Sequence, residues 1–157
     1  YLANKARELD FHTRFIELAA EINEAMPYHV VSRILEALNT RGKSLNGAKI
    51  LVLGVAYKKD VEDTRESPSL KIIQLLREKG AEVSYNDPYV PQIHVPAGDM
   101  ESVELSEECL VSMDCVVIAA DHSCYNVEHI ITCSKLVFDT RGVTRGLKSD
   151  NIVRLGE

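Results

Sequence analysis

Residues 49–88 read KILVLGVAYKKDVEDTRESPSLKIIQLLREKGAEVSYNDP, and the order of patterns along them decides the fold class. KILVLG (49–54) is an unbroken apolar run of strand length. After a charged stretch, ESPSLKIIQLLREKG (66–80) has the spacing of a helix. Ser67 is placed to cap it, Pro68 suits its first position and Gly80 suits its stop. EVSYNDP (82–88) is a second strand ended by a turn. A strand, a helix and a strand with apolar interiors predict a parallel pair joined by a crossover helix, because such strands are covered on both faces.

The alternation continues downstream. Residues 89–105 read as an irregular excursion. SEECLVSM (106–113) is a short amphipathic helix, DCVVIAA (114–120) a third strand, YNVEHIIT (125–132) a short helix and KLVFDT (135–140) a fourth strand. NIVRLG (151–156) reads as a short final strand. The expected fold is α/β, a Rossmann-like doubly wound parallel sheet over residues 48–157, preceded by a long helical segment.

Residues 1–47 form that segment. Residues 1–9 read as the tail of a helix, DFHT as a break, and Thr13 as the cap of the next helix. From Phe15 the apolar residues Phe15, Leu18, Ala19, Ile22, Met26, Val30, Ile34 and Leu38 keep one helical face. Pro27 is expected to kink or divide this helix. So long a stripe is either ordinary core or a subunit interface. TRGKSLNG (40–47) reads as a linker.

At 157 residues, there is room for one compact domain and an appendage. Composition is that of a soluble globular chain, with 45% hydrophobic and 27% charged residues. No apolar run approaches the ~18 residues of a membrane span. The start has no signal-peptide layout, so reduced thiols and a cytoplasmic location are expected. It opens on Tyr1 rather than Met, so a piece of a larger protein is expected. The formal charge of −6 disfavours general binding to nucleic acid or anionic membranes.

The charge is unevenly spread. Residues 1–47 hold six basic and six acidic side chains, residues 80–134 hold ten acids and no Lys or Arg, and the remaining cations gather in 49–79 and 135–154. In the expected fold, the first strand runs into VAYKKDVEDTRES and the fourth into TRGVTRG, at the same edge of the sheet. Ligands bind at that edge, where strand order reverses. Lys58, Lys59, Arg65, Arg141 and Arg145 thus become candidates to converge on a phosphate, with Tyr57 able to stack on a base or sugar. The acids Asp60, Glu62, Asp63 and Glu66 read alternatively as partners of these cations in a surface ion-pair network.

A dinucleotide-binding turn would read GxGxxG after the first strand, but GVAYKKD carries one glycine. The chain has no Walker motif, GxSxG or HExxH. Cys109, Cys115, Cys124 and Cys133 show no CxxC pair, and the five histidines are scattered, so no metal site is expected from spacing.

GVAYKKDVEDTRESPSLKII, YNDPYVP and FDTRG together closely resemble the carboxyl-terminal, UDP-binding domain of the UDP-glucose/GDP-mannose dehydrogenase family. Within it, the likeness is to UDP-N-acetylglucosamine and UDP-N-acetylmannosamine 6-dehydrogenases. The leading YLANKAREL and FHTRFIELAAEINEAMP resemble the end of that family's central helical region. The resemblance implies oxidation of the C6 alcohol of a UDP-sugar to a carboxylate in two NAD-dependent steps. The family's NAD domain and catalytic cysteine precede the segment matched by Tyr1. This chain is therefore expected to bind the UDP portion, to carry no catalytic residue and to be inactive alone. The resemblance assigns Tyr57, Lys58 and Arg141 to the substrate, Arg65 to NAD, and the helix around residues 15–38 to a homodimer. It leaves Lys59 and Arg145 without a role. The rival expectation is a non-catalytic dimerisation module with the same fold.

Overall fold

A computed structural model describes residues 2–157; Tyr1, the first residue of the stretch expected to be the tail of a helix, lies outside them. Among the described residues, β1 (Lys49–Leu53), β2 (Glu82–Asn86), β5 (Cys115–Ile118), β6 (Val137–Asp139) and β7 (Ile152–Arg154) form one parallel sheet. Their order across it is β2-β1-β5-β6-β7. The crossover helices are α2 (Pro68–Glu78), α3 (Glu107–Ser112) and α4 (Val127–Cys133). The doubly wound sheet is therefore present, and its order reverses between β1 and β5, which are neighbours although β2 intervenes in sequence.

The caps form at the residues whose chemistry suits them. Ser67 accepts from the N–H of Ser69, Pro68 opens α2, and Gly80 adopts a φ of +89° just past its end. Ser106 and Asn126 cap α3 and α4 through the N–H groups of Cys109 and His129. β1 and β5 are buried almost throughout, as strands covered on both faces must be. One core lies between the sheet, α2 and the leading helix α1 (Leu2–Thr40), and includes Val52, Ile73, Leu76, Tyr85 and Phe138. The other packs Leu110, Ile130 and Ile131 against Leu51, Leu53 and Val116.

Three expectations are corrected. Residues 89–105 are not irregular: β3 (Gln92–Val95) and β4 (Gly98–Glu101) form an antiparallel hairpin, with Ile93 and Val95 buried beneath it. DFHT does not break the leading helix. α1 runs from Leu2 to Thr40 without interruption, and Thr13 Oγ1 donates to the Leu9 carbonyl at 2.9 Å rather than capping a new start. Of the kink or division expected at Pro27, division is the outcome that fails, since α1 continues on both sides.

The apolar stripe of α1 divides into two halves. Val30, Val31, Ile34, Ala37 and Leu38 are buried in the domain core. Phe15, Ile16, Leu18 and Ile22 stay exposed, Phe15 at 63% and Ile22 at 52%. Among the described residues, no helix is long and apolar enough to cross a membrane.

Candidate functional site

The loop leaving β1 and the loop leaving β5 meet where the strand order reverses. Gly54, the first residue beyond β1, has a φ of +85°. A Cβ there would stand 2.5 Å from Ala120 Cβ and 2.9 Å from the Ala120 backbone N and O. No side chain fits that approach, so glycine is required on both counts.

A buried carboxylate ties these loops together. Asp87, in the turn after β2, accepts from Val55 N at 2.8 Å and Ala56 N at 3.1 Å through Oδ2, and from Tyr89 N at 2.9 Å through Oδ1. Its Oδ2 also meets Nε2 of His122 at 2.9 Å. The other ring nitrogen, Nδ1, receives the backbone N–H of Asp60 at 2.8 Å. An N–H donor at Nδ1 leaves that nitrogen unprotonated, so the proton sits on Nε2 and is donated to Asp87.

Asp60 completes the tether. It adopts a φ of +58° and its carboxylate accepts from Ser123 N at 2.8 Å and Ser123 Oγ at 2.5 Å. The Ser123 hydrogen bonds hold its carboxyl below the ordinary value. The loop closes on itself through Tyr57 N and the Asp63 carbonyl, 2.7 Å apart. Asp60 is thus first a structural tie to the β5 loop, with the charge of Lys59 a smaller influence on its carboxyl than the Ser123 hydrogen bonds.

Between these loops lies a recess lined by Lys59, Ile118, Asp121, His122, Ser123 and Tyr125, with α4 as its floor. Tyr125 donates its hydroxyl to the Asn86 carbonyl at 2.8 Å, and burial pushes its pKa upward. Lys58 lies with its Nζ 5.5 Å from the centre of the Tyr57 ring, which is 48% exposed.

The β6 loop is built around a second carboxylate. Asp139 Oδ1 accepts from Arg141 N (2.9 Å) and Gly142 N (2.8 Å), and Oδ2 accepts from Thr144 N (2.8 Å) and Thr144 Oγ1 (2.6 Å). Burial raises its pKa, but the hydrogen bonds from Thr144, Arg141 and Gly142 outweigh that and the net shift is downward. This holds Arg141 and Arg145 on a second recess, which they share with His29, Arg154 and Leu155. The two recesses adjoin through Asp121: it lines the first, and its Oδ1 is 3.8 Å from Arg141 Nε.

The five candidate cations are therefore distributed, not gathered. Lys58 lies beside the Tyr57 ring; Lys59 faces the first recess; Arg141 and Arg145 face the second. Arg65 lies in a third, beside Tyr89 and Gln92, held by Asp63 in a two-pronged ion pair at 2.9 and 3.0 Å. That pair lowers the Asp63 pKa to about 2.

The family model for the UDP-glucose/GDP-mannose dehydrogenase family, UDP binding domain, matches residues 51–146, more than half of the chain. The chain belongs to this family. It is 35% identical over 140 residues to a UDP-N-acetyl-D-mannosamine dehydrogenase of Methanococcus maripaludis, covering 84% of this chain and 31% of the relative. Among solved structures it resembles the UDP-D-ManNAc dehydrogenase of Pyrococcus horikoshii, with a TM-score of 0.75 and 31% identity over 90% of this chain and 33% of that one. It also resembles an NDP-N-acetyl-D-galactosaminuronic acid dehydrogenase of Methanosarcina mazei, with a TM-score of 0.73 and 28% identity over 89% and 31% of the two chains. The chain spans about a third of the length of these relatives, and the matched part is the family's UDP-binding domain.

The residues that shape this UDP-binding domain include several that sequence patterns do not nominate: Asp87, His122, Ser123, Asp139 and Thr144. NDP reads as a strand-ending turn, which it is, but Asp87 also ties three chain segments together. The usable signal is chemical: an Asp at the carboxyl end of each of two strands, EVSYND and KLVFD, where a carboxylate can collect the free N–H groups of the next loop.

Proposed function

We propose that this chain is the substrate-gripping part of an NAD-dependent UDP-sugar 6-dehydrogenase acting on a UDP-N-acetylhexosamine. The diphosphate lies across the loops after β1, β5 and β6, with Tyr57 and Lys58 on the sugar nucleotide and Arg141 on its nucleotide portion. The observation that carries this reading is the pair of recesses adjoining at Asp121, beyond the carboxyl ends of the strands where the sheet order reverses. Membership of the family supplies the substrate class.

NAD does not fit this sheet as its own cofactor. The turn after β1 holds one glycine, against the three of a dinucleotide-binding turn. Arg65 is instead the contribution to NAD held by another domain, and the Asp63 pair keeps its guanidinium oriented until then. No group here performs the oxidation. The chain's part is to anchor the remote diphosphate, so that binding energy positions C6 at a reacting centre elsewhere. Alone, it turns nothing over.

The exposed half of the α1 stripe, Phe15 to Met26, pairs with a second copy to form a homodimer. The working location is the cytoplasm.

Isothermal titration with UDP tests the assignment. The parent chain binds with one site, and Lys58→Ala and Arg141→Ala each weaken binding by about tenfold, the scale of one charge-assisted phosphate contact. Unchanged affinity in both variants rejects the site. A dimer without any nucleotide affinity favours a non-catalytic dimerisation module instead.

A further inference from the structure

Outside the nucleotide loops, α3 and α4 bring one side chain of α3 to two that share a face of α4. One ligand atom from each of Glu107, His129 and Cys133 lies within 4.8 Å of the other two. His129 and Cys133 are four residues apart on α4, so they share one helix face, and the Cys133 Sγ is 3.7 Å from the nearer ring nitrogen. Zinc bonds of about 2.3 Å to sulfur and about 2.0 Å to nitrogen, at a tetrahedral angle, separate the two donors by roughly 3.5 Å. The α4 pair thus stands close to chelating distance. Glu107 comes from the first turn of α3, the neighbouring helix.

The frame that holds these donors is fixed. Leu110 of α3 and Ile130 and Ile131 of α4 are packed in one apolar cluster against the sheet. Asn126 caps α4 at the N–H of His129 itself, 3.1 Å away. Glu107 and His129 are exposed and Cys133 half-buried, so an ion reaches them from solvent and small side-chain rotations bring the carboxylate in.

We infer that Glu107, His129 and Cys133 form a binding site for a thiophilic divalent cation of the zinc type, with a fourth position left to water. The donor set selects the metal. A thiolate and an imidazole favour zinc and its soft neighbours, whereas magnesium and calcium require oxygen ligands. On binding, the Cys133 thiol releases its proton to water as the sulfur–metal bond forms, and the neutral imidazole and the carboxylate donate lone pairs. The bound ion joins α3 to α4.

Titration of the reduced chain with Co²⁺, followed by displacement with Zn²⁺, tests the site. One equivalent saturates it, a thiolate-to-cobalt charge-transfer band grows in the near ultraviolet, and zinc abolishes the band. Cys133→Ser removes the band, and Cys133→Ser and His129→Ala each weaken zinc binding by about 100-fold, as loss of one of three protein ligands should. Glu107→Gln weakens it by about tenfold. Cys124→Ala, which alters an exposed thiol elsewhere, leaves both readouts unchanged. Circular dichroism of the four variants checks that each is folded. Absence of the band in the parent chain, its survival in Cys133→Ser, or saturation only beyond one equivalent overturns the proposal.

Discussion

The backbone N–H of Asp60 is held by the buried ring of His122, at 2.8 Å from Nδ1. Because Nε2 of the same ring meets Asp87 at 2.9 Å, one histidine joins the loops after β1, β2 and β5. Asp60 is at a positive φ, a conformation that costs a non-glycine residue about 1–2 kcal/mol and persists only under such restraint. The loop that carries Tyr57, Lys58 and Lys59 is thus positioned before any ligand arrives.

His122→Ala should therefore do two things at once. It strips one donor from Asp87 and leaves the Asp60 N–H without its acceptor, a loss of about 2–4 kcal/mol with the cavity included. Urea unfolding reads that loss. Hydrogen exchange at Asp60 should accelerate well beyond the change seen in β1. Equal acceleration throughout the sheet would mean that His122 supports the core alone and does not hold the loop.

Gly54→Ala tests the crossing of the two chain segments. The new methyl meets both the side chain and the backbone of Ala120, and the residue must keep a φ of +85°. Strain and overpacking together cost about 2–5 kcal/mol. The double variant with Ala120→Gly relieves the Cβ contact but not the backbone contacts, so thermal unfolding should show only partial recovery.

Much of this architecture is written in the sequence because it depends on local chemistry. Apolar runs such as LVL in β1 and VVI in β5 declare strands buried on both faces, and Ser67-Pro68 with Gly80 marks both ends of α2. The hairpin at 92–101 escapes sequence reading because its strands are four residues each, too short to show a convincing alternation. DFHT leaves the leading helix intact because a few weak helix formers do not end a helix whose neighbours favour it. The basic loops are legible as charge. That Arg65 pairs with Asp63, or that Asp121 stands between Lys59 and Arg141, depends on side-chain directions that charge counting does not carry. His129 and Cys133 share a helix face at a spacing that a search for CxxC pairs passes over.

Asp139→Asn should be destabilising and its cost should depend on pH. The carboxylate collects four donors, and an amide placed there turns an N–H toward one of them, at a cost of about 2–4 kcal/mol at neutral pH. The native Asp139 pKa is depressed, so the unfolded chain binds the proton more readily. Its contribution is complete above the ordinary carboxylate value of about 3.9 and is lost as pH falls through the lower folded value. Unfolding curves for parent and variant should therefore converge below about pH 4. A difference that stays constant as the pH is lowered through that range would place the effect in packing and not in the charge.

Phe15→Glu combined with Ile22→Glu tests the unpartnered half of α1. Both side chains are already in solvent, so the monomer loses no burial and should keep its melting behaviour. If this face pairs with a second copy, two like charges on each side of the interface oppose association, and sedimentation should show the dimer replaced by monomer. A parent chain that is monomeric at tens of micromolar would remove the dimer from the proposal while leaving the nucleotide site untouched.

Asp121→Asn probes the boundary between the two recesses. Its carboxylate lies 3.8 Å from Arg141 Nε and lines the recess that Lys59 also faces, so in the proposed site it would compete with a diphosphate for the same cations. The pair is about one third to one half exposed, which keeps its own contribution to stability small. Removing the charge should tighten UDP binding by about two- to fivefold at low salt, with the gain fading as ionic strength rises. The opposite result, weaker binding in Asp121→Asn, would show that Asp121 holds Arg141 in its productive orientation. Arg141→Ala and the double variant would then lose affinity equally, since a positioning carboxylate has nothing left to position once the guanidinium is gone.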